Sequence, residues 1–213
     1  MVQLPKEYPR AMLSDSTMTD SEWSSAIAPP WPLRRFSVAQ YRQLGAMGIL
    51  TPEDKVELLE GWIVEKMNHG PLHGYIVRVL ADWFHSQLPL GYLVQCQLPI
   101  TTAKSEPEPD LSIVRGNHHD FRTRHPSGQE CRLVIEVADT SIDRDRAKAE
   151  IYRSSGVEEY WIVNINDRSV ERYQFVEGSQ THQPSILPAN THLTIRISDT
   201  ELVLDLGVIF NES

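Results

Sequence analysis

One glutamate constrains this chain more than any other residue. Glu136 sits inside Leu133-Val134-Ile135-Glu136-Val137, the most apolar run of a 213-residue sequence. A run that is apolar at successive positions, not at alternate ones, describes a strand covered on both faces, so residues 132–138 predict the central strand of a layered sheet. A carboxylate there is costly to bury unless a cation or hydrogen-bond donors meet it. Side chains alternate along a strand, which puts Glu136 on the same face as Val134 and Ala138.

The flanking pattern predicts an α/β domain built on a mixed sheet flanked by helices. Ile76, Val79, Leu80, Trp83, Phe84 and Leu88 form one helical stripe, stopped by Pro89 and Gly91. Further strands are expected at 92–100, 111–114 and 159–165. A helix over 144–155, ended by Gly156, would make residues 132–165 a strand, helix, strand crossover. Ser37 can cap a helix carrying Val38, Tyr41 and Leu44, with Gly45 or Gly48 at its end. Residues 56–60 and 62–66 read as a hairpin hinged at Gly61. Asn166-Asp167-Arg168 turns into a strand over 170–176, and Leu193, Ile195, Ile197, then Leu202, Leu204 and Leu206, alternate as half-buried antiparallel strands do. Residues 1–32, rich in Pro, Ser, Thr and acidic groups, are expected to be a flexible arm, and residues 33–213 the domain.

Charge and motifs narrow the function. Lys and Arg number 20 against 29 Asp and Glu, a net charge of −9. That is the wrong sign for a protein that grips nucleic acid with its whole surface, so any phosphate-facing site must be local or aided by a cation. No secretory signal and no run of 18 apolar residues is found, and the cytoplasm is the expected compartment, with no membrane partner. Cys96 and Cys131 each lie in an apolar run and are expected as small buried thiols, not a disulfide. Phosphate-loop, dinucleotide-turn, zinc-protease and serine-hydrolase signatures are absent. His69 and His73 have the spacing of a zinc pair on a helix, but Gly70-Pro71 between them is expected to break that geometry. His118-His119 belongs to a polar, solvated loop.

The remaining chemistry is acidic. Ser105-Glu106-Pro107-Glu108-Pro109-Asp110 leads into strand 111–114, so Asp110 stands at a strand mouth on a chain stiffened by prolines. If that strand pairs with 132–138, Asp110 and Glu136 converge, and two hard oxygen ligands suit Mg²⁺ or Mn²⁺ better than zinc. The alternative is a Glu136 satisfied by an arginine or by backbone donors, with Asp110 capping a turn. Pro-Asp, a spacer, then Glu-x-Lys in an apolar strand is the signature of the PD-(D/E)XK nucleases. Here Ala138 stands where the lysine belongs, and Lys148, twelve residues after Glu136 on the next helix, has a stem long enough to bring an ammonium to the same point.

Several stretches together resemble the Uma2 family of nuclease-like proteins: Val56-Glu57-Leu58-Leu59-Glu60-Gly61, Gly70-Pro71-Leu72-His73, Val94 to Ile100, Ser105 to Asp110, Val134 to Ser141, then Lys148, Tyr152 and Gly156 to Val163. The resemblance implies a restriction-endonuclease-like fold and a Mg²⁺- or Mn²⁺-dependent endonuclease acting on DNA, double-stranded, as a homodimer. It implies Asp110 and Glu136, with the main-chain carbonyl of Val137, as metal ligands, and Lys148 as the catalytic ammonium. Glu57, His73 and Gln97 match recurrent polar positions of the family and are expected near the site. For Glu57 and Glu60 a solvated hairpin face is the competing expectation, for His73 a capping role or a merely satisfied histidine, and for Gln97 a bond to the neighbouring strand. The loop before Lys148 is one residue shorter than the family form, so Arg144 or Arg146 could stand in for the lysine. Asp139, Asp143 and Asp145 are candidates for capping the Lys148 helix. Arg115, Arg122, Arg124 and Arg132 are candidates to meet phosphate, with a solubilising surface as the alternative. A nuclease-like protein that binds nucleic acid or a partner without cutting is the alternative function. A structural protein in which Glu136 pairs with Lys148 is a third.

Overall fold

A computed structural model describes residues 32–175 and 183–210. The arm expected over 1–32 lies outside the described residues up to residue 31, as does the last residue of the strand expected over 170–176. The chain divides into two units, Met1–Arg34 and Arg35–Ser213, and the fold is that of the second.

Its elements are α1 (Val38–Ala46), β1 (Val56–Leu59), β2 (Trp62–Glu65), α2 (Pro71–Gln87), β3 (Tyr92–Cys96), β4 (Leu111–Arg115), β5 (Cys131–Ala138), α3 (Ile142–Ser154), β6 (Glu159–Asn164), β7 (Ser169–Gln174), β8 (Ser185–Pro188), β9 (His192–Ile197), β10 (Thr200–Asp205) and α4 (Gly207–Phe210). A six-stranded sheet runs β3-β4-β5-β6-β7-β8. β5 and β6 are parallel, joined through α3, and every other pairing in this sheet is antiparallel. It is a mixed α/β fold of the kind expected.

β5 is central because its side chains are apolar both ways. Leu133, Ile135 and Val137 join Trp161, Val163 and Ile113 on one face, under Ile76, Leu80 and Phe84 of α2 and the apolar sides of β9, β10 and α4. Val134 and Ala138 lie on the other face with Tyr160 and Ile162, against Tyr152 of α3. Glu136 therefore belongs to the face that α3 covers.

Local chemistry sets the element ends. Ser37 caps α1 through a reciprocal pair with Gln40. Glu60 and Gly61 both have positive φ, 49° and 83°, the two-residue turn whose twist suits a tight hairpin. β3 stops at Cys96, short of the expected residue 100, because Gln97 enters the left-handed region at φ 50°. Cys96 is thus exposed at a strand end, not buried as expected, while Cys131 is buried, and both thiols are free. β8 and α4 carry no signal in the sequence: β8 is four residues long with none buried, and α4 is a single turn. Among the described residues no helix is long and apolar enough to cross a membrane.

Candidate active site

β4 and β5 pair with Leu111 opposite Ile135 and Ser112 opposite Val134, a register that runs on to set Asp110 beside Glu136. The segment before β4 is held from several sides. Glu106 N–H donates to Leu58 O of β1 (2.7 Å), Glu108 N–H to Glu57 Oε2 (3.1 Å), and Arg42 Nε of α1 to Glu106 Oε1 (2.9 Å). Val137 N–H donates to Asp110 Oδ2 at 2.8 Å, which fixes that carboxylate against β5. Asp110 and Glu136 are each 5% exposed.

α3 delivers the cation. Lys148 Nζ lies 3.0 Å from Glu136 Oε1, 3.0 Å from Glu57 Oε1 and 3.9 Å from Asp145 Oδ1. One turn on, Tyr152 OH donates to the same Glu136 Oε1 at 2.9 Å. Glu136 Oε2 and Asp110 Oδ1 have no hydrogen-bond partner among the described residues, and neither is among the fully enclosed orphan atoms, which are Gln95 Oε1, Ser112 Oγ and Arg144 Nη2. A small cleft of about 30 Å³ lies between these groups, with Lys66, Ser141 and Arg144 completing its wall. That is room for an ion or one or two waters. Arg144 and Lys148 also line a larger open groove of about 1040 Å³, with Trp62, Val64 and Ile151.

The charge is unbalanced. Glu57, Asp110, Glu136 and Asp145 are all buried, and the cations lining the cleft are Lys148, Arg144, 3.5 Å from Glu57, and Lys66, which pairs with Glu108. Burial, with Asp110, Asp145 and Glu57 adding to it against the opposing pull of Lys148, pushes the Glu136 carboxyl up to about 8. Burial likewise raises Asp145. Burial works against the Lys148 ammonium, but Glu136, Glu57 and Asp145 outweigh it and hold its pKa above the usual lysine range. Tyr152 is raised far enough by burial and by Glu136 to remain a donor. Hard carboxylate oxygens in excess, two of them without partners, fit a divalent cation.

Other expected residues fall in and out of this site. Glu57 lines the cleft and is 2% exposed, not on a solvated face, whereas Glu60 stays at the hairpin turn. His73 is neither a cap nor ahead of the helix: it is buried in the first turn of α2, Nε2 hydrogen-bonded to Asp110 Oδ2 at 2.9 Å. Gln97 reaches the site through its main chain alone, donating N–H to Pro109 O (3.1 Å) and Asp110 O (3.2 Å), while its side chain is exposed. Ser141, not an aspartate, stands at the N-cap position of α3, its hydroxyl donating to Asp145 and not capping the backbone, and Asp143 and Asp145 occupy the first turn. Arg146 turns away to Glu171 (2.5 Å), so it does not replace Lys148, which itself reaches Glu136. Arg115, Arg124 and Arg132 pair with Glu158, Glu130 and Glu159, and Arg122 is exposed. Arg115 and Arg132 stand at the strand ends remote from Asp110 and Glu136, and none of the four lines the cleft.

His69 and His73 do not share a helix, as expected, yet their rings meet. Pro71 takes the first helical position with Gly70 as N-cap, so it starts α2 and interrupts nothing. His69, just before the helix, stacks on His73 with ring centroids 3.8 Å apart and planes at 16°. The ligand atoms of His69, His73 and Asp110 lie within 4.8 Å of one another, the group of three such side chains that stands out among the described residues. Burial first, then His73, lowers the His69 pKa.

The sheet order, its parallel β5–β6 pair and the helices on its two faces make this a nuclease-like α/β fold. The chain belongs to the Uma2 family, described as "Putative restriction endonuclease", which matches residues 38–206. A solved structure described as a putative nuclease belonging to DUF820, from Anabaena variabilis ATCC 29413, is similar to it with a TM-score of 0.67 at 15% identity, over 82% of this chain and 97% of that one. No curated protein matches the sequence.

Proposed function

We propose that this chain is a nuclease of the metal-dependent, endonucleolytic kind, hydrolysing phosphodiester bonds of double-stranded DNA, as a homodimer in the cytoplasm. The observation that carries the reading is the meeting of Asp110, Glu136 and Lys148, from two strands and a helix, at one cleft that holds more acid than base. Asp110, Glu136 and the Val137 carbonyl would hold Mg²⁺ or Mn²⁺, which when bound lowers the pKa of a water and withdraws charge from the phosphoryl oxygens.

The chain's own groups do the rest. Lys148, kept charged by Glu136 and Glu57, stabilises the negative charge that grows on the phosphoryl oxygens as water adds and one P–O bond breaks. Tyr152 shares Glu136 Oε1 with Lys148 and leaves Oε2 for the cation. Arg144, whose Nη2 is buried, lies 3.5 Å from Glu57 Oε1 and makes no hydrogen bond among the described residues, lines both cleft and groove and would take a phosphate oxygen of the incoming strand.

The direct contact of Lys148 with Glu136 favours a second reading, a nuclease-like binding module in which this pair is structural. Supercoiled plasmid with Mg²⁺ or Mn²⁺ separates the two. Under the first reading the wild type nicks or linearises the plasmid, and Asp110→Asn and Glu136→Gln do not. Cleavage that persists in either variant removes the site from consideration, and DNA binding without cleavage or metal dependence establishes the second reading.

A further inference from the structure

We infer that His69, His73 and Asp110 form a second cation site, one for a borderline transition metal of the Zn²⁺ or Co²⁺ type, beside the all-oxygen site of Asp110 and Glu136. The inference goes beyond the nuclease reading and does not need it, since it concerns what the chain binds and not what it cuts.

The geometry is close to that of a ligand set. Two donors each about 2.1 Å from one ion stand roughly 3.0 to 3.4 Å apart for angles between octahedral and tetrahedral. His73 Nε2 and Asp110 Oδ2 are 2.9 Å apart, so an ion can take the place of the proton they share. His69 supplies the third donor within 4.8 Å. Two of the three are held in place: His73 is 2% exposed in the first turn of α2, and Asp110 Oδ2 is braced by the Val137 N–H at 2.8 Å, the outer contact that commonly orients a metal-bound carboxylate.

The third must move slightly. With the imidazoles nearly parallel, their in-plane lone pairs do not aim at one point until the His69 ring tilts out of the stack. His69 is exposed and makes no hydrogen bond among the described residues, so the tilt breaks only the ring contact. His69 and Asp110 both line the cleft, which leaves the ion an open side toward it. Asp110 serves both sites, Oδ2 toward the histidines and the unpartnered Oδ1 available to the other ion.

Ligand chemistry then separates the two ions. Imidazole nitrogen favours zinc-like metals, whereas Mg²⁺ takes oxygen donors and keeps its waters. The sequence spacing of His69 and His73 suggested zinc on a shared helix; the helix instead starts at Pro71, between them, and the two rings stack across its start.

Co²⁺ titrated into the full-length protein, in the presence of excess Mg²⁺, tests the assignment through its visible absorption, which reports nitrogen ligation and coordination number. The wild type is expected to bind one Co²⁺ that Mg²⁺ does not displace. His69→Ala should weaken it at least about tenfold, the lower end of the loss seen when a group merely supporting a ligand is removed. Because His69 is exposed, that variant is expected to fold, and His73→Gln gives a second reading from the buried ligand. Glu136→Gln should keep the Co²⁺ spectrum. An unchanged spectrum and affinity in His69→Ala and His73→Gln overturns the site, as does loss of the spectrum in Glu136→Gln with retention in both histidine variants. Plasmid cleavage plays no part in these outcomes, so a failure of the nuclease reading leaves them standing.

Discussion

Lys148 places one positive charge among four buried carboxylates, and its removal tests how that balance is kept. Breaking a buried pair by deleting one partner strands the other charge and costs about 3–5 kcal/mol. Lys148→Met is therefore expected to lower urea-denaturation stability by about that amount without divalent ions, and added Mn²⁺ should restore part of it. A variant as stable as the wild type in EDTA would show that the carboxylates do not depend on the lysine. Glu136 adds a pH dependence whose sign follows from its raised value. Between its ordinary 4.5 and about 8 the folded chain holds a proton that the unfolded chain has lost. The stability from this group is present below pH 4.5 and lost as pH rises through about 8. Calorimetry in EDTA should show a melting temperature falling between pH 5 and 9, a fall reduced in Glu136→Gln and by divalent ions, which favour the ionised carboxylate. At this scale the sequence exposed Asp110 and Glu136 because one ends a proline-stiffened segment and the other breaks an apolar strand. Asp145 carried no such mark, an acid in a helix's first turn being ordinary, and the spacing that marked His69 spoke for a shared helix that the fold does not have; only the packing of α3 and the start of α2 brings them to the cleft.

α3 is positioned at its far end by a contact that leaves no room. A Cβ on Gly128 would stand 2.3 Å from Ser155 Oγ and 2.5 Å from Ser155 O, at the residue that ends α3. Backbone cannot yield as a side-chain tip can, so Gly128→Ala is expected to cost about 3 kcal/mol, the upper part of the overpacking range. It should also weaken metal binding by shifting Lys148 and Tyr152. Gly45→Ala, where a Cβ meets nothing within 4 Å inside α1, serves as the contrast and should stabilise by up to about 1 kcal/mol. Chemical denaturation of both checks the pair, and equal effects would mean that the contact at Ser155 is not tight. The same elements show what periodicity conveys. The hairpin β1–β2, the amphipathic α2 and the alternating β9–β10 were legible because each has one buried face and a turn residue at its end. The end of β3 was not, since a left-handed Gln97 has no compositional signature, and β8 has no buried side to announce it.

The chain as a whole carries a net charge of −9, and the cleft itself is lined by more carboxylates than cations. Of the arginines offered for DNA, Arg115, Arg124 and Arg132 are spent on glutamates and none of the four lines the cleft, so at the cleft the cation that answers phosphate is Lys148, Arg144 or a bound metal. Under the proposed function the divalent ion thus has two duties, holding DNA and activating water, and they can be separated. Two unit charges about 5 Å apart at an effective dielectric of about 20 interact by about 3 kcal/mol, and salt reduces this. Removing one carboxylate charge from the cleft should therefore tighten DNA binding in EDTA by roughly tenfold, about 1.4 kcal/mol. Asp110→Asn makes that change at nearly constant shape, and Glu136→Gln makes it in an assay above about pH 8, where Glu136 is ionised without metal. In fluorescence anisotropy with a labelled duplex, the wild type in EDTA should bind weakly and improve on adding Mn²⁺. Either variant in EDTA should bind more tightly than the wild type in EDTA, gain little from Mn²⁺, and cut nothing. Variants that bind no better than the wild type would mean that DNA meets this protein somewhere other than the Asp110–Glu136 cleft.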